Sequence, residues 1–348
     1  MVEASLSIFR FLSESLRTEL PKDINTDVSF RLSDSKDRDF SRIDEPYRFS
    51  SAAQEYYSCY NLGSLPDQLS SEFQFLLDGE QIGKVPLTIV GNGTKITSNG
   101  EPILLPHFGS QIDGLLADEL QTAFISAIIR TVREFNLAPP FFQEYENTAN
   151  FETIEIFLRF GFSLLKTREV YVKNCEGELP MIWADIRKSY KVKINRGMRE
   201  LEFGIGTGPK AVEQFTDFQN LHFTVAGRLT RSSATWQLQK EEVLRGHSFL
   251  SYILLNGEMI GCTLVPHTAD HALYAVGAYR RDLLELNLGH VSQWRAIEQL
   301  NLMKIGSYRL GHLDITNNLS SSAKESSIAH FKRGFADVFF KENTYGKY

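Results

Sequence analysis

Two short segments of the chain are nearly the same, and this repeat limits the folds that the sequence can adopt. Residues 76–83 read LLDGEQIG and residues 254–261 read LLNGEMIG. Asp-Gly and Asn-Gly pairs between apolar runs are strong hairpin signals, because both central residues of a type I′ turn take positive φ. Each segment is therefore predicted to form a strand, a tight turn and a second strand.

A second pair of similar segments follows in the same order. Residues 157–162 read FLRFGF and residues 331–335 read FKRGF, and each places Gly-Phe just after an amphipathic helix. Between each hairpin and its Gly-Phe, apolar stripes predict a further helix, at residues 114–135 and at residues 288–305. The shared order of elements favours an internal duplication, and 348 residues suffice for two domains.

The duplication predicts an α/β fold made of two tandem domains. We expect an N-terminal extension over residues 1–45, a first domain over residues 46–178 and a second domain over residues 179–348. Residues 22–44 are rich in Asp, Ser and Arg and lack periodicity, which predicts an exposed loop.

Charge and cysteine content exclude several classes of protein. The net charge of −6 gives no global attraction to nucleic acid or to an anionic membrane. Three widely spaced cysteines argue against a disulfide framework or a zinc knuckle. The first 20 residues lack a signal-peptide core, and no apolar run is long enough to span a membrane. We expect a soluble cytoplasmic protein.

The C-terminal repeat carries the most specific motif of the chain. Phe331 and Lys332 precede the Gly-Phe pair, residues 274–281 form a predicted strand, and Leu288-Gly289-His290 opens the helix that follows. Each repeat resembles the GNAT acyltransferase fold. The tandem is similar to the FemAB-like family and to the Fem peptidoglycan-bridge aminoacyltransferases, over residues 50–340.

The resemblance implies an acyl donor, either acyl-CoA or aminoacyl-tRNA. GNAT enzymes that use acetyl-CoA hold its pyrophosphate on a glycine-rich loop at a helix N-terminus. Here the corresponding segments read LNLGH at 286–290 and HFGS at 107–110, which argues against acyl-CoA. An acyl carrier protein is a third alternative. No metal is expected, because His267 and His271 lack a third ligand in the sequence.

Three residues are candidates for the chemistry of acyl transfer. The resemblance places Lys332 at the reaction centre, where an ammonium would stabilise a tetrahedral oxyanion; the alternative is a structural lysine beside Phe331. Asp314 ends a predicted strand and would act as a base or as a turn residue. His290 would move a proton near neutral pH or would serve as a cap or packing residue.

Further residues are candidates for substrate binding. The resemblance implies that Arg228 and Arg231 hold the phosphates of the acceptor, for which arginine is well suited. Trp236 would offer a stacking face, although a lone Trp is usually part of a core. The remaining candidates lie on a predicted strand, in a small polar loop and in the final helix: Tyr279, Lys324, Glu325 and Phe331.

Residues 187–199 form the densest basic run and include Lys188 and Arg196. They would contact tRNA or a pyrophosphate-bearing acceptor. The alternative is a solvated helix with Val192 facing inward.

The sequence thus predicts an N-acyltransferase that acts on an amine of a nucleotide-linked sugar or of a cell-wall or surface-polysaccharide precursor. One alternative is an aminoacyl-tRNA-dependent peptidoglycan-bridge transferase. The other is a non-catalytic GNAT-like binding protein.

Overall fold

The computed structural model describes residues 2–22, 25–32, 46–63, 68–91, 93–145, 151–316 and 322–347. The chain forms two compact units. Unit 1 consists of the described residues within Met1–Glu169, Asp314–Asn318 and Phe340–Tyr348, and unit 2 of those within Val170–Leu313 and Leu319–Phe339. The expected domain boundaries describe the duplicated segments of sequence rather than these contact-based units, so they stay a prediction.

Unit 1 combines an antiparallel sheet with four helices. The sheet has the order β1 (Thr26–Leu32), β2 (Leu69–Leu77), β3 (Glu80–Val90) and β4 (Lys95–Thr97). The short strands β5 (Ile103–Leu104), β6 (His107–Phe108) and β7 (Phe142–Gln143) follow, and β6 pairs with β3. The helices are α1 (Val2–Glu19), α2 (Ser51–Leu62), α3 (Gly114–Glu134) and α4 (Phe151–Arg159).

The predicted loop over residues 22–44 is wrong for Thr26–Leu32. This segment is β1, which pairs antiparallel with β2 along its whole length. Val28 is buried in the core, so the strand is stabilised by tertiary packing despite its polar composition. Residues 33–45 lie outside the described part of the chain. The preceding helix α1 also belongs to the core of unit 1 through Phe9, Leu12 and Leu16, which are fully buried.

Unit 2 is built around a second antiparallel sheet. Its strands have the order β13 (Val276–Tyr279), β11 (Glu258–Pro266), β10 (Ser248–Leu255) and β9 (Glu202–Gly206). β12 (His271–Leu273) pairs in parallel with β14 (Ser307–Asp314). Its helices are α5 (Leu179–Asp185), α6 (Lys188–Glu200), α7 (Val212–Ala226), α8 (Ser233–Arg245), α9 (Leu288–Met303) and α10 (Ala323–Arg333). Strands β8 (Ser163–Asn174) and β15 (Val338–Gly346) contribute residues to both units.

The repeated hairpins are confirmed. β2 and β3 are joined through Asp78 and Gly79 at φ 52° and 84°, and β10 and β11 through Asn256 and Gly257 at φ 52° and 80°. The predicted helices are confirmed as α3 and α9, which end one and two residues before the expected positions. The two repeats therefore share local structure as well as sequence.

The repeated Gly-Phe pairs serve different needs. Gly161 takes φ +73°, a conformation that favours glycine. Gly334 has ordinary right-handed geometry, but a methyl group there would overlap the ring of Tyr190. The phenylalanines that follow are both buried, Phe162 in unit 1 and Phe335 in unit 2. None of the described helices is both long and apolar enough to cross a membrane.

Candidate active site

A divergence of strands in unit 2 marks the candidate site. β12 pairs with β14 as far as Leu273 and Arg309, and the backbone N–H of Tyr274 donates to the carbonyl of Arg309 at 2.9 Å. The chain then leaves β14, because Val276–Tyr279 pairs with β11. β13 and the end of β14 are thus separate strands, and Lys332 of α10 lies near Tyr274 and Gly311 where they part.

Lys332 projects from the last turn of α10 towards this divergence. Its Nζ lies 5.5 Å from the centre of the Tyr274 ring and against the α-carbon of Gly311 on β14. In the described parts of the chain, no carboxylate forms an ion pair with Nζ. Burial lowers the pKa of Lys332 to about 8, and the positive charge of Arg309 adds to this effect.

The local sequence explains why Lys332 takes this position. α10 begins with a capping box in which Ser322 accepts from the Glu325 backbone N–H and the Glu325 carboxylate accepts from the Ser322 backbone N–H. Ala329 lies one turn before Lys332 on the buried face of the helix. Gly311 takes φ +127° and leaves the space that the lysine side chain fills.

A chain of buried hydroxyls begins beside the Tyr274 ring. The hydroxyls of Tyr274 and Tyr279 are hydrogen-bonded, and the hydroxyl of Tyr279 shares a hydrogen bond of 2.5 Å with Thr263. Thr263 in turn is 2.8 Å from the Ser292 hydroxyl on α9. Burial raises the pKa of both tyrosines, so they remain protonated hydrogen-bond donors.

A second branch of this network reaches the core of unit 2. The Gln293 amide N–H donates to Thr263 at 3.4 Å, and the Tyr308 hydroxyl donates to the Gln293 carbonyl at 2.9 Å. Thr263, Ser292, Gln293 and Tyr308 are fully buried. Such a satisfied network fixes the position of Tyr279 relative to α9.

His290 lies in an aromatic cluster beside this network. Its ring contacts Tyr190 edge-on at 4.5 Å between centroids, Phe331 at 5.1 Å and Phe335 at 6.2 Å. Burial lowers the pKa of His290 to about 4, and the charge of Lys193 contributes. The imidazole is therefore neutral at pH 7, and its buried Nε2 has no hydrogen-bond partner within the described residues.

The N-terminus of α9 does not form a glycine-rich cradle. The helix follows Asn287 at φ +61°, and its first turn contains a single glycine, Gly289. A methyl group there would lie 3.3 Å from Phe331 and 3.7 Å from Tyr279, so these rings adjoin the helix start. The residues present do not match a pyrophosphate loop. Among the described residues, no group of three or more His, Cys, Asp or Glu side chains is placed to hold a metal ion.

The predicted phosphate-binding arginines lie between α7 and α8. Arg228 is exposed. Arg231 is half-buried over the Trp236 ring at 5.1 Å, and its Nη1 is 3.2 Å from Nε2 of His222. Trp236 itself is buried among Phe215, Phe218 and His222, so it packs in the core of unit 2. Its ring is not an open stacking face.

The basic run forms helix α6. A helix is compatible with both interpretations of this run, the ligand contact and the solvated helix. Lys188 is exposed, and Arg196 donates to Glu200 at 3.0 Å within the helix. Val192 does not face inward: 68 % of its surface is exposed, and the buried face of α6 is formed by Tyr190, Ile194 and Gly197. The inward position expected for Val192 is wrong because the apolar stripe follows 190, 194 and 197 instead.

Two of the three further candidates, Asp314 and Glu325, have structural partners. Asp314 belongs to unit 1, where its carboxylate is 2.6 Å from Nζ of Lys166 and also accepts from Thr316, which lowers the pKa of Asp314. Glu325 forms the capping box described above, and Lys324 is exposed in the first turn of α10. In unit 2 the structure brings together Lys332, Phe331, His290 and Tyr279.

The sequence reasoning missed several residues of the site. Gly311 and Tyr274 define the position of the Lys332 ammonium, and Thr263, Ser292 and Gln293 support Tyr279. The available signal was that Thr263, Ser292 and Gln293 are polar residues at strand and helix positions where the apolar periodicity predicts core residues. To predict that Thr263 bonds Ser292 and Gln293, one would have to know which faces of β11 and α9 are in contact.

No protein-family model matches the chain, and no curated protein matches it in sequence. Solved structures do match its fold. FemX superposes with a TM-score of 0.63 at 10 % identity, covering 88 % of this chain and 92 % of FemX. A conserved protein of unknown function from Bacteroides thetaiotaomicron VPI-5482 gives a TM-score of 0.59 at 10 % identity, covering 92 % of this chain and all 100 % of that one.

A third structure is the C-terminal domain of a protein from Agrobacterium fabrum that is assigned as a lysylphosphatidylglycerol synthetase. Its TM-score is 0.50 at 12 % identity, covering 77 % of this chain and 81 % of that domain. At such identities the similarity shows the fold. The chain has a FemX-like fold, which confirms the α/β fold class and the resemblance in fold to FemAB-like proteins that the sequence predicted.

Proposed function

We propose that unit 2 is an N-acyltransferase whose reaction centre is the Lys332 ammonium at the divergence of β13 and β14. The observation that carries the proposal is a largely buried lysine with no carboxylate partner among the described residues. Burial without a counter-ion is unfavourable for an ammonium, and a negative charge that develops during the reaction would compensate for it. The FemX-like fold supports the same class of reaction.

In the proposed reaction, the amine nitrogen of the acceptor attacks the acyl carbonyl carbon of the donor within a ternary complex. The C–N bond forms, and the bond from the acyl carbon to the oxygen or sulfur of the donor breaks. Lys332 stabilises the oxyanion of the tetrahedral intermediate, and the proton lost by the amine balances the one gained by the leaving group. The phenol of Tyr279, kept protonated, belongs to the hydrogen-bond network that holds the Tyr274 ring beside this centre.

Two groups remain candidates for taking the proton of the amine. His290 offers a neutral imidazole with an unpartnered Nε2. Asp314 stays a prediction from the sequence: it belongs to unit 1, and Lys166 already pairs with its carboxylate. The low pKa of His290 makes it a transient acceptor rather than a strong base.

We propose that the acceptor is an amine on a nucleotide-linked sugar or a cell-wall or surface-polysaccharide precursor. Arg228, exposed between α7 and α8, would contact its phosphates, and Arg231 and Lys188 would add positive charge. The acyl group would come from aminoacyl-tRNA or acyl-CoA. The α9 N-terminus favours aminoacyl-tRNA because it lacks the glycine-rich cradle for a pyrophosphate.

Thermal melting of the purified protein against acetyl-CoA, aminoacyl-tRNA and UDP-linked sugars tests the substrate class, because a ligand that binds only the folded state raises the melting temperature. Turnover is then measured for Lys332→Met beside Lys210→Met, which removes an exposed lysine of the same unit. We expect the first variant to lose at least about a hundredfold in turnover. Unchanged turnover of folded Lys332→Met would refute the proposed role.

The second candidate function is a binding protein without chemistry. The buried contacts of Arg231 and Trp236 are compatible with either function. Binding of a UDP-linked sugar with no acyl product from any of the three donors would favour it.

A further inference from the structure

Unit 1 contains a buried arginine that the proposed reaction does not use. Arg48 lies in the short 3-10 helix Tyr47–Phe49 that precedes α2, and only 9 % of its surface is exposed. Its guanidinium stacks over the ring of Tyr57 on α2, with Cζ 3.7 Å from the ring centre. Stacking on an aromatic face positions a guanidinium but does not neutralise its charge.

The hydrogen bonds of Arg48 are incomplete. Its Nη2 donates to the carbonyl of Ser98 over a long 3.5 Å, and its buried Nη1 has no partner among the described residues. No described carboxylate forms an ion pair with it. The half-buried carboxylate of Glu72, which also contacts α2, accepts from Lys84 at 3.3 Å and from the amides of Gln54 and Gln74.

A second unpartnered donor belongs to the residue that follows Ser98. Asn99 follows Ser98 in the turn after β4, takes φ +54° and is 1 % exposed. Its side-chain carbonyl accepts from Thr88 at 3.1 Å and its backbone carbonyl accepts from Asn61 at 2.9 Å, but its side-chain Nδ2 has no partner among the described residues. Asn61 lies one helical turn after Tyr57 on α2, so the residues Arg48 and Asn99 both contact this helix face where it meets the turn, and this is the junction considered below.

We propose that this junction is a binding site for a small oxyanion, a carboxylate or phosphate group, held by Arg48 and Asn99. A buried arginine is normally paired, and its planar fork matches the two oxygens of such an anion. The amide of Asn99 supplies the additional N–H that a bound oxygen accepts. Because both donors are shielded from solvent, the site suits a small anion or the end of a larger one.

The second repeat contains an arginine in a similar place. Arg48 precedes the N-cap Ser50 of α2, and Arg231 precedes the N-cap Ser232 of α8. Each arginine stacks on an aromatic residue of the helix that follows it: Arg48 on Tyr57, and Arg231 on Trp236. Arg231, however, is near the imidazole of His222, whereas Nη1 of Arg48 has no acceptor in the described part of the chain. The oxyanion site is therefore specific to unit 1.

Thermal melting and calorimetric titration of the full chain with inorganic phosphate and with acetate, each against chloride at equal ionic strength, test the site. We expect one of the two anions to raise the melting temperature of the wild-type protein and to bind once per chain. The anion that does so identifies the group as phosphate or carboxylate.

The variants are Arg48→Met, which removes the charge, and Asn99→Gly, which removes the amide but keeps a residue suited to positive φ. Both should abolish or strongly reduce the shift. Arg159→Met, which removes an exposed arginine of α4, should retain it. Equal shifts in all four proteins, or no shift and no heat with either anion, would overturn the proposal. It rests on unit 1 alone, so its failure leaves the reaction proposed for unit 2 untouched.

Discussion

The ammonium of Lys332 lies directly against the α-carbon of Gly311, in the space that any other side chain at position 311 would fill. Glycine is therefore required at position 311 for two reasons: its backbone takes φ +127°, and a side chain there would overlap the Lys332 amine. A residue on β14 thus determines where the proposed catalytic group of α10 is held.

Gly311→Ala should displace the Lys332 amine and reduce acyl transfer. The strained backbone and the overlap together should cost about 1–3 kcal/mol of unfolding free energy. Gly177→Ala is the matched control, because Gly177 also has positive φ, at +92°, but nothing lies within 4 Å of its added methyl group. Denaturant unfolding and turnover are measured for both. Equal loss of turnover in the two variants would contradict the proposed relationship.

The titration of Lys332 should appear in the pH dependence of stability. Its pKa of about 8 in the folded state lies below the value of about 10.4 in an unfolded chain. Between these values the unfolded state binds more protons, so the free energy of unfolding should rise with pH across this window, by about 3 kcal/mol at most.

Lys332→Met should lack this rise. The measurement is denaturant unfolding from pH 7 to pH 10.5, taken as the difference between the wild-type protein and Lys332→Met so that titrations of other groups cancel. A difference that does not change with pH would show that the lysine is hydrated. We also expect turnover to fall as pH increases beyond about 8, because Lys332 is then deprotonated and no longer stabilises the oxyanion.

Local signals made part of this structure predictable. The Asp-Gly and Asn-Gly turns depend only on neighbouring residues, and the stripes of α3 and α9 depend on one helix face, so both hairpins and both helices are confirmed. The shared order of elements in the two repeats then led to the predicted α/β fold. The place of Lys332 in α10 came from the family resemblance, because nothing in its own segment distinguishes it from an exposed lysine.

Non-local contacts made the rest unpredictable. Strand β1 is polar and is held by its pairing with β2, which lies about forty residues further along the chain. The hydroxyl network joins Thr263, Ser292 and Tyr308 from three elements whose facing sides are set only in the folded unit. The buried face of the basic helix α6 was also predicted wrongly, because this helix has too few apolar residues to define a stripe.

Helix α6 provides a matched pair of substitutions. Ile194 is 1 % exposed and Val192 is 68 % exposed, although they are two residues apart. Ile194→Ala should cost about 2–5 kcal/mol of unfolding free energy because it leaves a cavity, whereas Val192→Ala should change it by no more than about 0.5 kcal/mol. Chemical denaturation of both variants measures this. Similar losses in the two would place the buried face of α6 elsewhere.

The Tyr308–Gln293 hydrogen bond should couple two buried residues. Tyr308→Phe leaves the Gln293 carbonyl without its donor at 2.9 Å and should cost about 1–3 kcal/mol. Adding Gln293→Leu removes the orphaned group, so the double variant should lose less than the sum of the single variants. A double-mutant cycle by denaturant unfolding measures the coupling. Strict additivity would mean that the bond contributes nothing to stability.

The pKa of His290 should make the protein sensitive to acid. In the folded state burial holds this pKa at about 4, below the value of about 6.5 for an unfolded histidine. As pH falls from 6.5 towards 4, the unfolded state binds a proton that the folded state does not, so stability decreases by about 2–3 kcal/mol. His290→Phe should remove this part of the acid loss, because a phenyl ring fits among Tyr190, Phe331 and Phe335 without titrating.

Unfolding of the wild-type protein and His290→Phe at pH 7.5 and pH 4.5 gives the difference directly. Gln293→Leu is unsuitable as a control because it alters the adjacent network, so His271→Phe, at a half-buried histidine on β12, serves instead. Turnover of His290→Phe at pH 7.5 separates the two roles of the ring. A folded variant that keeps wild-type turnover would assign His290 to packing, and the proton of the acceptor amine would then pass to another base.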